Sequence, residues 1–166
     1  FNIHTHLSID LSGSMGGSKL HNVVRLCSLL FKITLVYKNN MHLVITGRGS
    51  TVDANVKPLV AVLYNSDEDT PQTFMSIFSR LRANGYTPDG LCFTAIRKYI
   101  KRSDPTTKSY FINLSDGAPF YFEYTGIKAA THTLEEVNKI RANNVKILSY
   151  FISEQPEYQN ELFDIM

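Results

Sequence analysis

The sequence has no charge imbalance. Its 166 residues carry 17 Lys and Arg against 15 Asp and Glu, a formal net charge of +2. The electrostatic footprint of a nucleic-acid binder is therefore missing. A cysteine framework is missing too: only Cys27 and Cys92 occur, each within a helical pattern among apolar neighbours. That reads as two buried free thiols rather than a disulfide, and it favours a reducing, cytoplasmic setting. No apolar run is long enough to cross a bilayer; the best stretch, 26–37, is interrupted by Lys32, so no membrane partner is expected. The chain opens on Phe1 and shows no signal-peptide pattern, which leads to the expectation of a single domain, 1–166, belonging to a longer protein. What is present is ordinary for a globular domain. Hydrophobic residues make up 43%, and the length suffices for one proper core.

The periodicity gives an alternating pattern. Ile3, Thr5, Leu7 and Ile9 alternate with His4, His6, Ser8 and Asp10, a strand. Leu20, Val23, Val24, Cys27, Leu30, Phe31, Thr34 and Leu35 fall at helical spacing over 18–37. Strands are predicted at 41–46 and 58–64, separated by the polar stretch "GRGSTVDANVK" with no room for a helix, so these two form an antiparallel hairpin. Short helices at 74–81 and 91–101 precede a strand at 109–114. A helix at 134–142 precedes a strand at 145–152. The expected class is α/β: three layers, doubly wound and Rossmann-like, with a mostly parallel sheet and one antiparallel edge strand. Ligands on such sheets bind outside the carboxyl ends of the strands.

Those strand ends carry oxygen. "SIDLSGSMGGS" puts Asp10, Ser12 and Ser14 two residues apart, so all three can turn to one side. Gly13 and Gly16 permit the tight path. "NLSDG" supplies Asp116, and "GYTPDG" supplies Thr87. With no Cys or His in the set, zinc and copper are unsuited. Two carboxylates and three hydroxyls suit a hard cation, Mg²⁺ first, then Mn²⁺ or Ca²⁺, with room left for water or one oxygen from outside.

These residues resemble a known pattern. "DLSGSM" is similar to the Asp-x-Ser-x-Ser element of the metal-ion-dependent adhesion site of von Willebrand factor A domains. "YTPDGLCFTAI" resembles its second, threonine-bearing element, and "INLSDGAP" its third. The resemblance runs from Ile3 to about Ile152 and implies a von Willebrand factor A-like fold that binds another protein through a metal. Asp10, Ser12, Ser14, Thr87 and Asp116 would hold the ion, and an Asp or Glu of the partner would complete its shell. Met15, Asp89 and Pro119, in or beside the three elements, are the candidate partner contacts. A narrower resemblance lies in 115–147: Asp116, Gly117, Pro119, Tyr124, Gly126, Thr131 or Thr133, Val137 and Arg141 are similar to the branch containing nitric-oxide-reductase activation protein D. "DGAP" and Asp89-Gly90 also resemble the T subunit of cobalt chelatase. This implies a non-enzymatic adaptor working beside a AAA+ ATPase of the MoxR or chelatase type, or on its substrate.

Other readings compete. Asp, Ser and Gly are turn formers, so "DLSGSM" alone could be a turn. Asp116 alone would more often cap a helix. Asp89 after Pro88 suits a turn as well as the outer shell of a metal site. His4 and His6 share a strand face and read better as packed core histidines than as a metal pair. Half the aromatics of "FYFEY" (120–124) are expected in the core. An alternative function is Mg²⁺-dependent phosphoryl transfer or hydrolysis at Asp10; Ser12 stands where such chemistry wants a second acid. A third is a structural part of a large assembly. Family folds have a sixth strand, whereas this chain ends in "QPEYQNELFDIM", a short helix with Tyr158, Leu162 and Phe163 on one stripe. The strand at 145–152 is therefore expected to be an edge covered by further residues or by another chain.

Overall fold

The computed structural model describes residues 1–117 and 119–152. Five strands form one sheet: β1 (Asn2–Asp10), β2 (Met41–Ser50), β3 (Pro58–Asn65), β4 (Thr107–Ser115) and β5 (Lys146–Phe151). Their order is β3-β2-β1-β4-β5. Among the described residues β1 lies parallel to both β2 and β4, β4 lies parallel to β5, and β2–β3 is the one antiparallel strand pair. The expected α/β class with one antiparallel edge strand is the observed one. The reason is chain length: 51–57 is too short for a crossover helix, so the chain must turn straight back.

Among the described residues four α-helices cover the sheet: α1 (Ser18–Val36), α2 (Pro71–Phe78), α3 (Asp89–Ile96) and α4 (Gly126–Arg141). One core joins Val23, Cys27 and Phe31 of α1 and Phe74 and Phe78 of α2 to Leu7, Ile9, Leu43, Ile45 and Leu114. The other joins Cys92, Phe93 and Ile96 of α3 and Ile140 of α4 to Phe111 and Val145. Phe111 and Leu114 go to opposite faces, as the strand's period of two requires. Phe31, Tyr64, Phe74 and Phe78 stack or meet edge-on at centroid distances of 4.1–5.4 Å. Both cysteines are free and buried, and burial pushes each thiol up to about 12.

Several element boundaries differ from expectation: α2 starts three residues earlier and α3 ends five residues earlier, and two further differences have a readable cause. β2 continues through Gly47–Ser50, which the composition suggests is a turn; pairing with β1 on one side and β3 on the other overrides the weak strand propensity of Gly, Arg and Ser. α4 begins eight residues before 134, because its first turns are built on small and polar residues, with only Ala129, Glu136 and Ile140 buried along the helix. His6 behaves as a core histidine, with Nε2 2.9 Å from the Thr46 hydroxyl. His4 stacks on His42 at 4.4 Å. Among the described residues β5 is the sheet's second edge. The expected helix carrying Tyr158, Leu162 and Phe163 lies outside the described residues.

Candidate functional site

β1 and β4 are adjacent and parallel, so their carboxyl ends, Asp10 and Ser115, open on the same rim. Asp10 is fully buried. Its Oδ1 accepts the Ser12 backbone N–H at 2.8 Å, and its Oδ2 accepts the Ser115 hydroxyl at 2.7 Å. The carboxylate is thus fixed from both sides by neighbouring strand ends. The chain then makes a single 3₁₀ turn, Gly13–Met15. Gly17 follows at φ +73, a left-handed conformation that glycine adopts without cost, and α1 starts behind it.

The turn places the hydroxyls in a line. Ser12 Oγ is 3.2 Å from Ser14 Oγ, and the Ser14 hydroxyl donates to Asp116 Oδ1 at 2.8 Å. Asp116 Oδ2 accepts the Lys19 ammonium at 2.7 Å, and the same ammonium donates to the Ser14 carbonyl at 3.2 Å. Four of the five expected ligands therefore come together, Ser12, Ser14 and Asp116 in one chain of contacts and Asp10 through the Ser12 backbone. Thr87 arrives on a separate loop stitched to the first. Asn84 N–H donates to the Leu11 carbonyl at 2.7 Å, and Gly13 N–H to the Gly85 carbonyl at 3.1 Å. Thr87 itself is buried and exchanges two backbone bonds with Phe120 at 2.8 and 2.9 Å. No described hydrogen bond links its hydroxyl to the other four.

Below the rim lies Arg48, opposite Asp10 in the β1–β2 register. It is 1% exposed. Its Nε donates to Asp89 Oδ1 at 2.7 Å, Nη1 to the Ser8 carbonyl and hydroxyl at 3.1 Å, and Nη2 to the Leu114 carbonyl at 3.4 Å. The guanidinium carbon stands 5.2 Å from the Phe93 ring centroid. Burial works against the charge, but the carboxylates of Asp89 and Asp10 outweigh it and hold the guanidinium above its ordinary pKa.

Two of the three candidate partner contacts are corrected by this placement. Met15 is fully buried in the first core, which its apolar side chain prefers. Asp89 is 4% exposed and held by Arg48, so neither side chain is presented to a partner. Gly90 follows it because a Cβ there would run into the Tyr124 hydroxyl and His132. Pro119 is half-buried beside the exposed Phe120 and Phe122. Phe120 and Phe122 pack on Tyr86 at 6.1 and 5.2 Å. Tyr121 and Tyr124 are half-buried, and none of the four aromatics of "FYFEY" joins either core, whereas half were expected there.

Lys19, Arg48 and Ser115 are the site residues that sequence reading missed. Ser115 sits inside the third motif beside Asp116. Arg48 has a signal in hindsight, a lone cation between two glycines at the end of an apolar strand. Lys19 has only its position two residues after Gly17.

The residues fit a hard divalent ion. Neighbouring ligands on an octahedral Mg²⁺ at 2.0–2.1 Å are about 2.9 Å apart, and the oxygen pairs here stand at 2.8 and 3.2 Å. Among the described residues no group of three or more His, Cys, Asp or Glu is placed to share a metal; this oxygen set has two carboxylates and is completed by hydroxyls.

No protein-family model matches the chain, and no curated protein matches it. Solved structures do. The pilus adhesin SpaC from Lactobacillus rhamnosus GG superposes with a TM-score of 0.67 at 15% identity, over 95% of this chain and 26% of that one. The manganese-loaded Plasmodium vivax TRAP protein gives 0.62 at 18%, over 97% and 61%. The vWF domain of the type V pili tip protein Mfa5 from Porphyromonas gingivalis gives 0.50 at 15%, over 71% and 38%. The likeness is one of fold, von Willebrand factor A-like, and the chain spans less than two thirds of the length of each of these proteins.

Proposed function

We propose that this chain is a divalent-metal-dependent protein-binding domain whose ion is held by Asp10, Ser12, Ser14, Thr87 and Asp116. The observation that carries the reading is the run of oxygens from Ser12 through Ser14 to Asp116, spaced like the edges of an octahedron beside a fixed Asp10. The von Willebrand factor A-like fold and the manganese in one fold neighbour lend support.

Charge decides what such a site attracts. Asp10, Asp89 and Asp116 face Arg48 and Lys19, one negative charge in excess. When bound, the divalent ion supplies a Lewis-acidic centre and turns that excess into one positive charge. Asp10 stays fixed by Ser12 and Ser115, and the hydroxyls add no charge of their own. A single incoming Asp or Glu carboxylate then neutralises the cluster. Phosphoryl transfer is the weaker reading: Asp10 is fully buried with both oxygens already engaged, a poor arrangement for a nucleophile.

The narrower reading is a non-enzymatic cytoplasmic adaptor for a AAA+ ATPase of the MoxR or chelatase type, or for its substrate. It is supported by the resemblance across 115–147 and by the free, buried cysteines.

Mn²⁺ titration of the wild type and of Asp10→Asn and Ser12→Ala, followed by calorimetry with circular dichroism as the fold control, tests the site. Binding in the wild type, weakened at least about tenfold in folded variants, is expected from loss of a ligand in so small a set. Equal binding by all three overturns the assignment. Pull-down with and without EDTA tests whether a partner is held through the ion.

A further inference from the structure

Asp116 divides its two oxygens. Oδ1 faces Ser14 and the proposed metal ligands, while Oδ2 is taken by Lys19. The carboxylate is nearly buried, with its side chain 2% exposed, and the lysine side chain is 19% exposed. Lys19 stands in the first turn of α1, which contains no acidic residue. A cation is disfavoured there by the helix dipole, whose N-terminal end is positive. Its position is therefore not explained by the helix and is explained by Asp116. The second bond, to the Ser14 carbonyl, ties the ammonium to the very turn that carries the hydroxyls.

We propose that Lys19 is the site's built-in counter-cation: its ammonium holds Asp116 in place before the metal arrives and lowers the site's affinity for that metal. This rests on the metal-site reading given above. A nearly buried carboxylate without a partner is costly, so the ammonium gives Asp116 Oδ2 a partner and keeps Oδ1 aimed at Ser14. The same positive charge repels an incoming divalent ion across a few ångströms. The site is thereby kept open yet only moderately attractive to metal. The surplus positive charge that Lys19 adds goes to the partner's carboxylate instead. Lys19 is a positioning residue in this scheme and not a ligand, because an ammonium has no lone pair to give.

The test compares wild type, Lys19→Met and Lys19→Arg. Mn²⁺ affinity is read by electron paramagnetic resonance, and melting temperature is read with and without Mn²⁺. Lys19→Met should bind Mn²⁺ about tenfold more tightly than wild type, as removal of a nearby like charge requires. Its metal-free form should melt lower, so that Mn²⁺ raises its melting temperature more than it raises that of the wild type. Lys19→Arg should restore wild-type affinity, since it keeps the charge. A purely structural role for Lys19 would lower stability and leave affinity unchanged or weaker, and that outcome overturns the proposal. Absence of Mn²⁺ binding in all three proteins overturns the metal-site reading and the proposal with it, a result distinct from binding that ignores Lys19.

Discussion

Arg48–Asp89 and Lys19–Asp116 sit at the same end of the sheet, and each pair closes at 2.7 Å. Distance does not tell them apart; surroundings do. The arginine is clamped by four hydrogen bonds to strand atoms and to Asp89, with side chains 0% and 6% exposed. The lysine makes two bonds from a flexible stem at the rim. A guanidinium with a fixed fork suits a permanent floor, and an ammonium on four methylenes suits a contact that must yield. The floor keeps Asp10 and the strand ends in register. The rim is where an ion or a partner arrives.

The strongest way to break this comparison is to remove the floor's cation. Arg48→Met leaves Asp89 buried without a partner and should cost about 3–5 kcal/mol of stability, read by urea denaturation. A loss under about 1 kcal/mol would mean that the two pairs are alike after all.

A second experiment asks whether the interior admits charge without a partner. His6 is 3% exposed beside the Thr46 hydroxyl, and burial lowers its pKa from 6.5 to about 4. Above pH 6.5 neither folded nor unfolded chain holds this proton. Between pH 6.5 and about 4 the unfolded chain takes it up and the folded chain refuses it. Stability should therefore fall as pH drops through that window, by about 3 kcal/mol in full. His6→Gln should remove most of the slope. His4, also lowered to about 4 mainly by burial, keeps a smaller remainder because it is only half-buried. An unchanged slope in His6→Gln would show that the interior's protons lie elsewhere.

The smallest effect belongs to the rim. Lys19→Met without metal should lose about 1–2 kcal/mol, less than Arg48→Met, because the Ser14 hydroxyl still donates to Asp116 Oδ1. A loss comparable with that of Arg48→Met would make Lys19 part of the floor and erase the distinction.

Much of this was legible in the sequence, for identifiable reasons. All five strands and the antiparallel hairpin follow from apolar alternation and from a connection too short for a helix. Asp10, Ser12 and Ser14 were legible because residues two apart at a strand end can turn to one side, and Asp116 because it follows a second strand of the same parallel sheet. Thr87 was placed near them, but its approach depends on bonds from Asn84 and Gly85 to the first loop, which no spacing encodes. Arg48 was hidden because a charged residue between glycines reads as surface turn; only the sheet shows that it lies between β1 and β3 over Phe93. Met15 was mistaken for a contact because it stands inside the first motif, whereas the 3₁₀ turn points it into the core. The start of α4 was missed because Ala and Thr carry no apolar stripe to read.

The position of β1 has a mechanical consequence. Among the described residues it is the first strand and the central strand of the sheet, with eight register pairs to β2 and eight to β4. β5 runs parallel to it and is held by six pairs to β4. A pull transmitted between Asn2 and Phe151 draws β1 by its foot and β5 by its head, along the strand axes. The cross-strand bonds lie across that direction and carry the load side by side rather than one after another. Under tension the domain is sheared, not unzipped, and β5 with its shorter ladder yields before β1.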